Sequence, residues 1–212
     1  MNRGGAAFVA GAPLALAVLE IFHPHPHDLF HLDLTVWMAV HYLQIFFFPL
    51  VALALALVVR GRRGFAAGAC RLGAFVFGVT WVAFDTAAGV TTGILLEAAQ
   101  ASGTPDAWRA PVMAVWAHPI VGSGAVPGAV PPLLAVAGSL AWTVGCVAAA
   151  VALRRGGSGW IPVVLLVISG ASFLVFKTHA WPGGPVAFGA LGLAAAWELR
   201  KAPPRLSPRA PA

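Results

Sequence analysis

Six stretches of this 212-residue chain consist mainly of apolar residues, and few charged residues fall inside them. A run of about 20 apolar residues is long enough to cross a hydrocarbon core of about 30 Å. The pattern therefore predicts an all-α integral membrane protein, a bundle of about six transmembrane helices. The predicted spans are 6–22, 34–59, 72–96, 132–153, 160–176 and 185–199.

The basic residues predict which ends of these helices face the cytoplasm, because loops rich in lysine and arginine stay on that side during insertion. Of the 13 Lys and Arg residues, all except Arg109 and Lys177 fall on the side that holds both chain termini. We therefore expect both termini to be cytoplasmic and the histidine-rich loops to be extracytoplasmic. The expected location is a bacterial plasma (inner) membrane.

The chain shows no internal repeat, so residues 1–201 are expected to form a single polytopic membrane domain. Residues 202–212 are basic and proline-rich, which predicts a disordered cytoplasmic tail. The composition, 59% hydrophobic and 9% charged with a net charge of +6, fits this topology. No nucleic-acid partner is expected. The excess of Lys and Arg is explained by the topology of membrane insertion, and the sequence contains no nucleic-acid-binding motif. The lipid bilayer is the expected partner, and a homo-oligomer or a larger membrane complex is left open.

A short helix is predicted in the long outer loop. Thr104-Pro105-Asp106 supplies an N-cap, a proline and an acid in the first turn, which are typical of a helix start. A helix from there to about His118 would be too short to span a bilayer, so we interpret it as an interfacial helix. The overlapping stretch 108–126 is apolar enough to re-enter the bilayer instead.

Histidine is the main candidate for chemistry, since all seven histidines lie on the predicted outer side and imidazole is a common metal ligand. His23, His25 and His27 alternate with prolines that keep the segment extended. This spacing can chelate zinc, copper(II) or iron, and His31 and Asp33 follow closely enough to add ligands. The alternative is a solvated loop that is merely rich in histidine.

Two ionisable residues lie inside predicted spans. Trp37, His41 and Gln44 share one helix face, which should turn toward the bundle because an imidazole facing lipid is costly. Asp85 is the only carboxylate near the predicted bilayer midplane and shares its face with small residues. Structural alternatives are a packing role for His41 and a protonated Asp85 satisfied by a hydroxyl. We interpret His41 as a ligand and Asp85 as a catalytic acid or proton acceptor.

Two further histidines lie in outer loops. His179 follows Lys177 in a connection rich in glycine and proline, where it is either a ligand or an interfacial anchor. His118 precedes Pro119 at the predicted end of the interfacial helix, where it is either a ligand or a partner of the helix dipole.

The leading hypothesis is a membrane protein that binds a transition metal (zinc, copper or iron) at its outer mouth. An open coordination position would allow metal-dependent hydrolysis, but the pattern does not fix whether the protein is an enzyme. His41 and His179 are the inner, cofactor-binding pair, and Asp85 is the catalytic candidate. The full predicted metal set is His23, His25, His27, His41, His118 and His179.

Two alternatives stand beside the metal hypothesis. The first is electron transfer through haem b, with two histidines as axial ligands. The second is a non-enzymatic transporter, pH sensor or accessory subunit.

Overall fold

Helices occupy all six apolar stretches in a computed structural model, which describes residues 3–24, 28–123 and 130–200. These ranges contain no strand. The predicted tail, residues 202–212, lies outside them. The α-helices are α1 (Arg3–Leu19), α2 (Leu34–Val58), α3 (Phe65–Asp85), α4 (Thr92–Ala101), α5 (Arg109–Trp116), α6 (Leu133–Arg155), α7 (Trp160–Phe176) and α8 (Gly183–Arg200).

Four helical segments among the described residues are long and apolar enough to cross a membrane. Their mean hydropathy lies between 1.5 and 2.0, and α7 is a shorter apolar helix of the same character. The described part of the chain is therefore all-helical, and the length and composition of its helices are consistent with a membrane protein. The four segments are Gly4–Phe22, Leu34–Val58, Phe65–Ala101 and Leu133–Arg155.

The centre of the bundle is an aromatic core supplied by α2, α3, α6, α7 and α8. The ring of Phe77 lies 4.6 Å from that of Trp142, and Trp142 lies 5.3 Å from Phe188. Small residues let the helices approach closely around this core: a Cβ on Gly73 of α3 would stand 2.6 Å from the carbonyl oxygen of Ala141 in α6. Close backbone approach through small residues is the usual way in which membrane helices pack.

The third helix begins earlier than the sequence predicted. It starts at Phe65 rather than after Arg71, so Arg71 lies within the helix. Its guanidinium Nη2 donates to the carbonyl oxygens of Val59 (3.2 Å) and Arg62 (3.0 Å), which lie beyond the end of α2. Arg71 therefore hydrogen-bonds to backbone carbonyl groups that have no partner within α2. It does not mark the start of α3.

A π-helical segment, Thr86–Thr91, joins α3 to α4 and was not predicted. Thr91 Oγ1 donates to the carbonyl of Thr86 (3.0 Å) within it. Two indole groups from elsewhere donate to its carbonyls: Trp37 Nε1 to Gly89 (2.9 Å) and Trp116 Nε1 to Ala88 (3.3 Å). Single π-helical turns inside α-helices occur frequently at functional sites.

The short helix predicted after Thr104 is present as a 3₁₀ turn, Pro105–Trp108, followed by α5. Its proline is at the start, as predicted, but Thr104 does not cap it; the Thr104 hydroxyl instead contacts that of Ser102 at 3.2 Å. Val112 of α5 is fully buried in a cluster with residues of α2 and α4. This packing holds α5 over one end of the bundle.

Candidate metal centre

Three potential ligands meet where α1, α7 and α8 come together. Glu20 begins the 3₁₀ turn that extends α1, His23 follows that turn, and His179 lies between α7 and α8. One ligand atom from each residue lies within 4.8 Å of the other two, so this group could hold a metal ion. We call Glu20, His23 and His179 the metal-ligand group.

Glu20 supplies the carboxylate of this group from a fully buried position. Its Oε1 accepts a hydrogen bond of 2.8 Å from Nε2 of Gln44 in α2. Its Oε2 is buried and has no hydrogen-bond partner among the described residues. Burying a carboxylate oxygen without a partner is costly. A carboxylate that has one oxygen held by an amide and the other oxygen unbonded is suited to act as an oriented metal ligand.

His23 is held in a tautomer that suits metal binding. Its Nδ1 lies 3.0 Å from the carbonyl oxygen of Pro24. A carbonyl only accepts, so Nδ1 carries the proton and the lone pair of the neutral ring is on Nε2. A hydrogen bond of this kind from the second ring nitrogen to a backbone carbonyl is usual for metal-ligating histidines.

His179 is fixed by packing on both its backbone and its ring. A Cβ on Gly184 would overlap the carbonyl oxygen of His179 and stand 2.8 Å from Cγ of Glu20, so glycine allows the loop to close on the carboxylate. The His179 ring packs at 4.7 Å from the ring of Trp81 and at 4.8 Å, edge to face, from that of His23. These contacts keep the two imidazoles together.

A second ionisable pair, His41 and Asp85, lies beside the metal-ligand group. His41 Nδ1 donates to the carbonyl oxygen of Trp37 at 2.7 Å, so its Nε2 carries the lone pair. That Nε2 is 3.8 Å from Asp85 Oδ1, and both side chains are buried. The ring centres of His41 and His23 are 4.9 Å apart. We call His41 and Asp85 the buried dyad.

The π-helical segment makes room for this dyad. A Cβ on Gly89 would overlap the imidazole of His41, so only glycine fits there. Asp85 precedes the π-helical segment and Thr92 follows it, and both residues are buried. Asp85 Oδ2 and Thr92 Oγ1 have no hydrogen-bond partner among the described residues. Buried polar atoms without a partner are uncommon in native proteins, so each of them calls for an explanation.

A cavity of about 1190 Å³ connects these groups to the surface. His23, His41, Asp85 and His179 all line it, and most of its remaining wall is apolar or aromatic. A mostly apolar cavity with a few converging polar groups is the usual form of a small-molecule site.

The structure gathers some of the predicted ligands and leaves others apart. His23, His41 and His179 come together, as described above. His118 is exposed, and its Nδ1 accepts hydrogen bonds from the backbone N–H groups of Ile120 (3.2 Å) and Val121 (3.5 Å), which stabilise a turn. The remaining two predicted ligands, His25 and His27, lie outside the described residues.

His31 and Asp33, which could have added ligands, have local structural roles. His31 Nδ1 lies 3.0 Å from Asp28 Oδ2 at an exposed position. A backbone hydrogen bond from Phe30, and then the His31 ring, lower the pKa of Asp28 below its usual value. Asp33 caps α2 by accepting from the N–H of Val36 at 3.1 Å. Neither His31 nor Asp33 belongs to the metal-ligand group.

Glu20 is the residue of this centre that the sequence analysis missed. A signal was present, since Glu20 and His23 form a Glu-x-x-His pair that one helical turn brings to the same side. The same spacing supplies metal ligands in some helical-bundle proteins. Its apolar surroundings within the first predicted span concealed it.

Comparison of the chain with protein-family models, with curated proteins and with solved structures finds no match. The site is therefore interpreted from its geometry.

Proposed function

We propose that this protein is an integral membrane protein that binds a transition metal ion through Glu20, His23 and His179. The observation that carries the proposal is the convergence of their ligand atoms within 4.8 Å, at a cavity that His23 and His179 line. Two imidazoles and one carboxylate form a donor set found in both catalytic zinc sites and non-haem iron sites. Copper(II) accepts the same donors.

Packing alone does not account for this arrangement. The hydrogen bond from Gln44 accounts for one oxygen of the buried Glu20 carboxylate and orients it, but it leaves Oε2 without a partner among the described residues. Both His23 and His41 direct an unprotonated Nε2 away from the backbone carbonyl that holds Nδ1. These features favour a ligand role over a role as hydrogen-bonding packing residues.

The proposed topology has about six membrane spans, with both termini cytoplasmic and the metal centre at the outer end. The distribution of Lys and Arg residues supports it, because only Arg109 and Lys177 lie at the end that carries the histidines. A bacterial inner membrane is the proposed location.

We further propose that the site is catalytic, with the buried dyad as its acid–base element. A bound metal with an open position would act as a Lewis acid and lower the pKa of coordinated water. His41 Nε2 is placed to accept a proton, and Asp85 at 3.8 Å stabilises the imidazolium that results. Asp85 acts here through His41, as a positioning and charge-stabilising residue. Hydrolysis is the reaction class that these groups fit.

The packing favours a bare metal ion over haem b. The ring pairs His23–His41 and His23–His179 are in edge-to-face contact at 4.9 and 4.8 Å. Axial imidazoles must lie on opposite faces of a porphyrin, and rings already in contact leave no slot for the macrocycle between them.

Elemental analysis of protein purified in detergent without a histidine tag tests the proposal. We expect stoichiometric zinc, iron or copper in the unmodified protein and loss of most of it in Glu20→Gln and His179→Ala. His118→Ala is the matched control, since it removes a histidine outside the metal-ligand group and should keep the metal. Equal metal content in all four folded proteins would contradict the proposal, and a Soret band in the visible spectrum would favour haem instead.

A further inference from the structure

The cavity also reaches the side of the bundle, between α6 and α7. Three of its lining side chains are also largely exposed: Val136 (39%) and Leu140 (50%) of α6, and Leu174 (48%) of α7. We call these three residues the side opening. A ligand could pass between the two helices there, in addition to entering from the end of the bundle.

The helix pair is closed just below the side opening. Trp142 Nε1 donates to the carbonyl of Ser169 at 2.9 Å, and Thr143 Oγ1 donates to that of Gly170 at 2.7 Å. A Cβ on Gly170 would stand 3.0 Å from Cβ of Cys146, so the helices touch at this level. The opening is thus confined to the turns nearest the metal-ligand group.

The surroundings of the side opening are apolar. Helix α6 belongs to a segment that is long and apolar enough to cross a membrane, and α7 is an apolar helix of 17 residues. In the proposed topology, an exposed leucine or valine on these helices contacts acyl chains rather than water. The molecule most available at such an opening is a lipid.

Lys177 provides a charge at the same place. It ends α7 in a left-handed conformation (φ 54°), lies one turn beyond Leu174, and lines the cavity. Lys177 takes part in no ion pair with the described residues, whereas Arg109 across the cavity contacts Asp106 at 3.1 Å and Asp28 at 3.7 Å. An exposed ammonium group beside an apolar opening suits an anionic headgroup.

We propose that the ligand of this cavity is a membrane lipid with a negatively charged headgroup, which enters between α6 and α7. Its headgroup contacts Lys177, and its chain lies against Val136, Leu140 and Leu174. The volume of about 1190 Å³ exceeds that of many drug-sized sites, so a headgroup and the upper part of a chain can be held together. The inference rests on the proposed function, because it places this lipid beside the metal-ligand group as its substrate.

A photoactivatable phosphatidylglycerol, with a diazirine on its acyl chain, tests the inference in vesicles of phosphatidylcholine that contain the full-length protein. Labelled residues are mapped by peptide mass spectrometry. Lipid that only surrounds the bundle labels exposed positions, whereas lipid in the cavity also labels Trp81 and Phe84, which are 3% and 6% exposed and line the cavity. We expect labelling of both buried residues.

Three variants sharpen this test. Leu140→Trp should block the opening and lower labelling of Trp81 and Phe84 several-fold, and Val136→Trp is a second variant for the same purpose. Val147→Trp is the matched control, since Val147 is a 43% exposed residue of α6 outside the cavity. Lys177→Gln should lower labelling by the phosphatidylglycerol probe but not by a phosphatidylcholine probe with the same chain.

Labelling restricted to exposed residues, or equal labelling in the opening variants and the Val147→Trp control, would overturn the inference. Metal content is measured on the same samples. Metal without interior labelling would leave the proposed metal centre standing and reject the lipid. Interior labelling without metal would keep the lipid in the cavity but reject the metal centre and, with it, the role of the lipid as substrate.

Discussion

His41 Nε2 lies 3.8 Å from Asp85 Oδ1 in the interior of the bundle, at the point where the third helix changes from α-helical to π-helical. The sequence analysis assigned the two residues separate roles, His41 as a ligand and Asp85 as a catalytic acid or proton acceptor. The π-helical segment brings them together, since Gly89 within it leaves the space that the imidazole fills. The contact between His41 and Asp85 therefore depends on the local backbone geometry of the π-helical segment and not on the order of the helices along the chain.

Asp85→Asn tests whether this carboxylate is kept for function at the expense of stability. Asp85 Oδ2 has no hydrogen-bond partner among the described residues, and burying an ionised carboxylate is more costly than burying a neutral amide of the same shape. We therefore expect thermal unfolding in detergent to show an unchanged or higher midpoint, with metal retained and any hydrolytic activity lost. The control is Asp106→Asn, since Asp106 is 90% exposed and its pair with Arg109 should contribute little. A strong loss of stability in Asp85→Asn would assign Asp85 a structural role.

Gly89→Ala tests the space beside His41. The added methyl group would overlap the imidazole, so we expect a lower thermal midpoint, equivalent to about 1–3 kcal/mol. Gly68→Ala in the same helix is the control, because nothing lies within 4 Å of its added Cβ. That variant should be neutral or more stable by about 0.5–1 kcal/mol. Equal midpoints for the two variants would contradict the described placement of His41.

The buried face of α2 could be predicted from the sequence because helical spacing and polarity agree there. Trp37, His41 and Gln44 follow the helical repeat, and polar groups in an apolar span must turn inward. All three are buried, which confirms that part of the prediction. The long helices were also predictable, since helix occupies each of the six apolar stretches. The number of membrane crossings and their orientation stay predictions.

The centre itself could be predicted only in part. His23 and His179 were chosen because imidazole is a common metal ligand and all seven histidines lie on the predicted outer side, but that criterion also selected His118, which stabilises a turn. Glu20 was missed because its role depends on Gln44 and on the loop that carries His179, which are distant in sequence. Contacts of this kind follow from tertiary packing and leave little trace in local patterns.

Arg62 is expected to have a structural role at the opposite end of the bundle. Its Nη2 donates to Ser158 Oγ at 3.2 Å, and that hydroxyl donates to Glu198 Oε2 at 2.8 Å, which links two loops to α8. Arg62→Ala should lower the free energy of unfolding by about 1–3 kcal/mol. The substitution breaks the hydrogen bond from the charged guanidinium of Arg62 to the hydroxyl of Ser158. Arg63→Ala removes the same charge from an exposed neighbour and should have little effect. Denaturation followed by circular dichroism measures both variants, and identical curves would exclude the link.

Gln44→Leu tests whether the metal centre depends on a residue that is not itself a ligand. The amide holds Oε1 of Glu20 at 2.8 Å, and loss of such an orienting partner typically lowers metal affinity by about 10–100-fold. We expect that decrease in competition titrations with a zinc chelator, with the number of bound ions unchanged. Gln100→Leu is the control, since Gln100 is exposed at the end of α4 and should bind zinc as the unmodified protein does. If Gln44→Leu binds zinc with unchanged affinity while Glu20→Gln loses it, Glu20 is a ligand that needs no orientation by α2. If neither variant changes the affinity, zinc binds elsewhere and the metal-ligand group is wrong.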